Sequence, residues 1–348
     1  MKAVVFFEHG EHSNLKYEDT PLPEINPNEV MIKVKASACN YNDIWARQGL
    51  PGMEIALPHI SGSDVSGIIE QIGSAVTNVE VGDEVLVHCG ISCRNCAYCA
   101  SGQDYFCRKF KIYGFQTGPL DGGHAEYAKV PAFNVLPKPK SLTWEQAASL
   151  PLSLVTAWRM LVTRGKIQAG DHVLVWGAAG GIGMMAVQIC KLFGAKAIAV
   201  AKDDTKLEAT SKMGASYTIN RSKQDVYQEI KKITEKRGVD IVFEHVGAAT
   251  WETSVKSLKW GGTLVTCGAT TGFDAKTDIR FLWNKQLNLL GSHLGNKAEL
   301  MSALNFVETG DIVPVLSEIL PLHEAAKAQK LIENSDAMGK VILVPNHS

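Results

Sequence analysis

The chain has 348 residues, 45% of them hydrophobic and 20% charged, with a formal net charge of −1. That length admits two domains of ordinary size, and the apolar share is enough for a sizeable core. The balanced charge argues against a nucleic-acid or membrane-surface binder, since both normally bring a large basic excess. The apolar opening Met1–Phe7 is interrupted by Glu8 and His9. It lacks the longer run and small-residue cleavage site of a signal peptide. No stretch approaches the ~18–20 apolar residues of a membrane span, so a cytoplasmic protein is expected.

The first 135 or so residues read as mostly β. In Val30–Ala36, Ile32, Val34 and Ala36 alternate onto one face. Val65–Ile69 and Glu84–Val87 are further short strands, punctuated by Gly73, Gly82 and several prolines. A helix start follows at Ser141 or Thr143, either of which can serve as N-cap. From Asp171 to about 292, strand-like runs (173–176, 197–200, 240–243, 263–266) alternate with helical ones. This pattern predicts a doubly wound parallel α/β sheet. A helix near Lys297–Phe306 and a strand at Lys340–Val344 close the chain.

Between the 173–176 strand and the next helix stands Gly177-Ala178-Ala179-Gly180-Gly181-Ile182-Gly183. Glycines let a backbone turn tightly and approach a pyrophosphate, and the helix N-terminus supplies unpaired N–H groups. The strand–loop–helix context makes this a dinucleotide site. NAD binders commonly place an acid after the next strand for the ribose 2′-hydroxyl. Here that position is Ala201, followed by Lys202. Lys206 and Arg221 also lie within reach of a 2′-phosphate, so NADPH is expected. Asp203 or Asp204 serving a ribose is the alternative.

Five of the eight cysteines fall within residues 89–107. Cys93, Cys96, Cys99 and Cys107 follow the spacing C-x2-C-x2-C-x7-C. Four thiolates complete a tetrahedral Zn²⁺ shell, so this site is expected to staple a loop and do no chemistry. Cys89 lies outside the pattern.

With these two features the chain resembles the medium-chain dehydrogenase/reductase family along essentially its full length. The resemblance implies a GroES-like, mostly β catalytic domain over 1–152, carrying the structural zinc loop and completed by 293–348. A Rossmann domain over 153–292 would bind NADPH. Zinc alcohol dehydrogenases of that family hold a catalytic zinc through a cysteine, the histidine of a Gly-His-Glu motif, and a later cysteine or histidine. Cys39 matches the first position, but Ser63 stands in Gly62-Ser63-Asp64 and Leu152 stands at the third. Alcohol oxidation at such a zinc is therefore not expected.

A narrower resemblance is carried by Asn40–Trp45, Gly62–Gly67, Ile112–Gln116, Phe243–Gly247, Leu264–Gly268 and Arg280–Trp283. These are similar to motifs of the crotonyl-CoA carboxylase/reductase clade, which includes archaeal-type acryloyl-CoA and other enoyl-CoA reductases. The implied activity is NADPH-dependent reduction of a short-chain 2-enoyl-CoA, with the acyl-CoA as the small-molecule partner. Hydride adds to Cβ of an alkene that the thioester already polarises, and no metal is required. The clade's pocket residues carry over to Asn40, Phe115, Gln116 and His245. Gln116 departs from the glutamate of the carboxylases, which favours simple reduction. Leu50 follows Gly49 where a related group of enoyl reductases has a proton-donating tyrosine, leaving Tyr41 or water as the proton source. A homodimer or homotetramer is implied, with Leu287–Leu290 as an edge. Competing readings are a quinone oxidoreductase, a zinc alcohol dehydrogenase, or an NADPH-binding structural or regulatory protein.

Overall fold

The computed structural model describes residues 1–346. The chain forms two compact units. One comprises Met1–Leu152, Asn296–Leu304 and the chain from Pro314 onward; the other comprises Ser153–Gly295 and Asn305–Val313. Residues 293–295 and 305–313 thus go with the second unit, whereas the family resemblance places the whole tail from 293 with the first. The reason is local. Phe306 stacks on Trp158 with ring centroids 5.6 Å apart. Gln188 donates to the Val313 carbonyl and accepts from its N–H at 2.8 Å.

The first unit is built on a seven-stranded sheet. Its path runs Val135–Pro137, Glu84–Val87, Asp64–Ile72, Glu29–Ala38, Lys340–Val344, Leu316–Pro321, with Tyr127–Pro131 also on Glu29–Ala38. Val30, Ile32, Val34 and Ala36 are fully buried, while Lys33 and Lys35 between them are partly exposed. This period-2 alternation is what pins the register, because a one-residue slip would bury the lysines. Burying each Val or Ile contributes roughly 1.5–3 kcal/mol. The late strand Lys340–Val344 pairs antiparallel with this one, Ile342 opposite Ala38 and Leu343 opposite Ser37. That pairing brings Lys340 to the start of the helix Tyr41–Gln48.

In the second unit six strands pair in parallel. In spatial order they are Tyr217–Asn220, Lys196–Ala201, His172–Val175, Val239–Glu244, Leu258–Thr266 and Asn288–Gly291. The first strand in sequence, His172–Val175, is central, and chain order runs outward from it on both sides. Ligands of such sheets sit outside the carboxyl ends where the order reverses. Here that point lies between His172–Val175 and Val239–Glu244. The edge strand Asn288–Gly291 holds three residues of the expected edge Leu287–Leu290, and among the described residues it pairs only with Leu258–Thr266. No helix of the described residues is long and apolar enough to cross a membrane.

Candidate active site

The glycine loop leaves the central strand at the switch point. Gly177 has φ +54°, and its carbonyl accepts from Gly180 N–H at 2.9 Å. A Cβ on Gly183 would meet that same carbonyl at 2.4 Å, so position 183 must be glycine for helix and loop to pack. The helix Gly181–Leu192 begins with no side-chain cap. A helix start of this kind suits an anion.

The strands Lys196–Ala201 and Tyr217–Asn220 end in register, Ala201 opposite Asn220. Lys202 and Arg221 therefore leave adjacent strand ends together, and Arg221 N–H donates to the Ala201 carbonyl at 3.0 Å. The two nearby acids are committed elsewhere. Asp203 caps the following helix through Lys206 N–H at 2.9 Å. Asp204 is held by Asn220 at 2.6 Å and Lys223 at 2.5 Å.

His245 follows the strand on the other side of the switch point. Its Nε2 lies 2.9 Å from the Trp176 carbonyl, which can only accept, so Nε2 carries the proton and Nδ1 the lone pair. Burial pushes its pKa below the ordinary value, outweighing the bond to Trp176. The ring packs where a Gly177 side chain would be, with Cε1 3.0 Å from a Cβ built there.

Glu244, fully buried and not singled out from the sequence, shapes this turn. Its carboxylate accepts from Val246 N–H at 2.7 Å, Gly247 N–H at 3.0 Å, Thr250 at 2.9 Å and Ser254 at 2.6 Å. Ser254 in turn accepts from Trp176 Nε1 at 2.7 Å. A strand-end acid with hydroxyls on the facing side of the next helix was the available signal.

In the first unit, Asn40 opens the helix Tyr41–Gln48, and its N–H donates to Asp43 at 2.7 Å. Its side-chain amide is consumed inside the protein. Nδ2 donates to Asp64 at 2.9 Å and Oδ1 accepts from Lys340 at 2.5 Å. The expectation that Asn40 offers an amide to substrate meets this competition: the charged Lys340–Asp64 pair, 3.0 Å apart and buried, holds both ends of it. Gln116 is likewise drawn inward, its Oε1 accepting Ile112 N–H at 2.9 Å. Phe115 is buried beside Trp45, whose ring meets Tyr41.

Ser63 is fully buried, its hydroxyl without a partner among the described residues. Leu152 N–H donates to Asp64 at 2.7 Å, and its side chain has no donor atom. A separate cluster joins Cys39, Asp43 and His124, all buried.

The four cysteines of the 93–107 loop converge. The loop is pinned at its base by the short strands Gly90–Ile91 and Lys111–Ile112, paired to each other. All four sulfurs lie within 4.8 Å of one another. Cys96–Cys99 and Cys93–Cys99 are 3.5 and 3.9 Å apart. A tetrahedral zinc with its usual sulfur bonds would hold sulfurs about 3.8 Å apart. Backbone N–H groups of Cys93 and Lys109 point at Cys107 sulfur, and an N–H donated at Asn95 draws the Cys93 thiol down to about 6. The donor set fits a structural zinc, and Cys89 stands apart from it.

Residues 26–140 match the alcohol dehydrogenase GroES-like domain and 181–309 the zinc-binding dehydrogenase family. A crotonyl-CoA carboxylase/reductase of Cereibacter sphaeroides is 34% identical over 97% of this chain and 85% of its own length. Among solved structures, an NAD-dependent alcohol dehydrogenase superposes with TM-score 0.94 at 38% identity, covering 99% of both chains. A 2-octenoyl-CoA carboxylase reductase in complex with NADP and 2-octenoyl-CoA superposes with TM-score 0.88 at 34% identity, covering 96% of this chain and 82% of that one. With both domain families matched and such relatives spanning nearly all of it, the chain belongs to the medium-chain dehydrogenase/reductase superfamily, as an oxidoreductase with crotonyl-CoA carboxylase/reductase homologues.

Proposed function

We propose that this enzyme reduces short-chain 2-enoyl-CoA thioesters with NADPH, of the acryloyl-CoA or crotonyl-CoA type, without a catalytic zinc at positions 39, 63 and 152. The observation that carries this reading is the chemistry of the last two positions. Leu152 offers no donor atom there, and Asp64 beside Ser63 is spent on Lys340, Asn40 and Leu152 N–H. A thioester-activated alkene does not need the Lewis acid that an alcohol would.

NADPH, when bound, supplies the hydride. The Gly177–Gly183 loop and the uncapped helix behind it would hold its pyrophosphate. Lys202, Lys206 and Arg221 would hold its 2′-phosphate, and the relative bound to NADP and 2-octenoyl-CoA supports both ligands. His245 acts in its neutral form. With Nε2–H given to Trp176 it can only accept through Nδ1, so it orients a water rather than donating its own proton. Water or Tyr41 then protonates Cα. Asn40 positions the start of its helix through Asp64 and Lys340. Phe115 shields the reacting carbon, and Gln116 in place of glutamate favours protonation over carboxylation.

Cys93, Cys96, Cys99 and Cys107 hold a structural zinc. The enzyme is a homodimer or homotetramer, a reading supported by the edge strand Asn288–Gly291 and by Ile279 and Trp283, 69% and 68% exposed. The deciding experiment is a panel of enoyl-CoA thioesters with NADPH and NADH, with and without bicarbonate, reading product mass. Saturated acyl-CoA at the substrate's mass plus two hydrogens is the expected product. Turnover of alcohols or quinones with none of thioesters overturns the proposal in favour of the alcohol dehydrogenase relatives.

A further inference from the structure

Cys39, Asp43 and His124 come from a strand end, a helix and a loop after Gly123, yet their ligand atoms converge in the first unit. Sγ of Cys39, a carboxylate oxygen of Asp43 and a ring nitrogen of His124 all lie within 4.8 Å of one another. The three side chains are 0–2% exposed.

The distances bear on two explanations, a directly paired imidazolium and a shared ion. A charge-assisted bond from an imidazolium to a carboxylate measures about 2.7–2.9 Å. His124 Nε2 stands 3.3 Å from Asp43 Oδ2 and 3.8 Å from Cys39 Sγ. Both are at the long end of the hydrogen-bonding range. Around a tetrahedral zinc, the usual Zn–N, Zn–O and Zn–S bonds put nitrogen about 3.3 Å from oxygen and about 3.5 Å from sulfur. The two edges at His124 come within about 0.3 Å of those values, as the sulfur separations of the four-cysteine loop do of theirs.

The surroundings orient the ligands. Ser37 Oγ donates to the Asp64 carbonyl at 2.9 Å, so its lone pair accepts from His124 Nδ1 at 2.9 Å. That bond places a proton on Nδ1 and turns Nε2 toward Cys39 and Asp43, which is the orientation of a ligating histidine. Asp43 is held by Gly62 N–H at 3.0 Å and Asn40 N–H at 2.7 Å. Sulfur, imidazole and carboxylate together suit a zinc-class divalent ion.

We propose that Cys39, Asp43 and His124 form a second zinc-class cation site, with three protein ligands and a fourth position for water. It shares only Cys39 with the ligand positions 39, 63 and 152, and it is independent of the reductase reading. Metal content decides this site, and the thioester panel decides that one.

The test is metal content of the full-length, zinc-loaded protein. Two ions per chain are expected in the wild type and one in either His124→Ala or Cys39→Ser. Cys96→Ser should lose the other ion and keep this one. Cobalt substitution should give the Cys96→Ser protein a single-thiolate charge-transfer band that Cys39→Ser abolishes. Ser37→Ala should weaken zinc at this site about 10- to 100-fold, as loss of an outer partner does. Should the ligand variants fail to fold, X-ray absorption of the wild type decides, since two sites give a mixed sulfur and nitrogen/oxygen shell and one gives sulfur alone. One ion per chain in an all-sulfur shell, or a protonated His124 in the zinc-saturated protein, overturns the proposal.

Discussion

His245 and Gly177 share one space at the exits of neighbouring strands. The imidazole donates Nε2–H to the Trp176 carbonyl at 2.9 Å, and its edge lies 3.0 Å from where a Gly177 Cβ would sit. The residue expected as a pocket group is thus also a clamp on the glycine loop. His245→Ala should raise KM for NADPH about tenfold, the worth of one net hydrogen bond. His245→Gln, which keeps an N–H for the carbonyl, should restore KM and leave the loss in kcat. Steady-state kinetics of both variants separate the roles; an unchanged KM in the alanine variant denies the clamp.

Gly177→Ala tests the same contact from the other side. An alanine at φ +54° costs about 1–2 kcal/mol in backbone strain, and its methyl collides with the ring. Cofactor affinity measured by fluorescence titration should fall about tenfold or more. Pairing the mutation with His245→Ala should recover part of that loss, since the ring is then gone.

Lys202→Ala and Arg221→Ala should each raise KM for NADPH about 10- to 100-fold, the range for a charge-assisted hydrogen bond to phosphate. KM for NADH should stay within about twofold, because NADH lacks the 2′-phosphate. Equal losses with both cofactors would place these side chains elsewhere.

Removal of the ion proposed for Cys93, Cys96, Cys99 and Cys107 should lower the melting temperature and expose the 93–107 loop to protease. Cys96→Ser should do the same without chelator. Differential scanning fluorimetry with a verified metal count is the check, and an unmoved melting curve after verified loss argues against a structural role.

Asp240 gives a pH dependence with a definite sign. Burial alone would raise its pKa, but hydrogen bonds from Arg237 and Lys259 hold it down at about 2. An unfolded aspartate titrates near ~3.9. The carboxylate therefore contributes stability that is complete above that value and lost as pH falls through about 2. Asp240→Asn should destabilise the protein by roughly 1–2 kcal/mol at neutral pH. In urea unfolding the gap between the two proteins should close as pH falls from 5 toward 2.

Local patterns alone determined the sheet class, the glycine loop and the cysteine cluster. Each is written in contiguous residues: alternation in Val30–Ala36, glycines between a strand and a helix, four thiols inside one loop. Ser63 and Leu152 were equally legible, because a missing donor atom needs no geometry. Tertiary structure decided what depends on residues far apart in the chain. Asn40 is claimed by Lys340, 300 positions away, because the last strand pairs with Glu29–Ala38. His124 meets Asp43 and Cys39 across more than 80 residues for a similar reason. His245 reaches Trp176 because their strands neighbour each other at the switch point. Sequence spacing encodes which donors a loop carries; only the paired strands decide which of them are already spent.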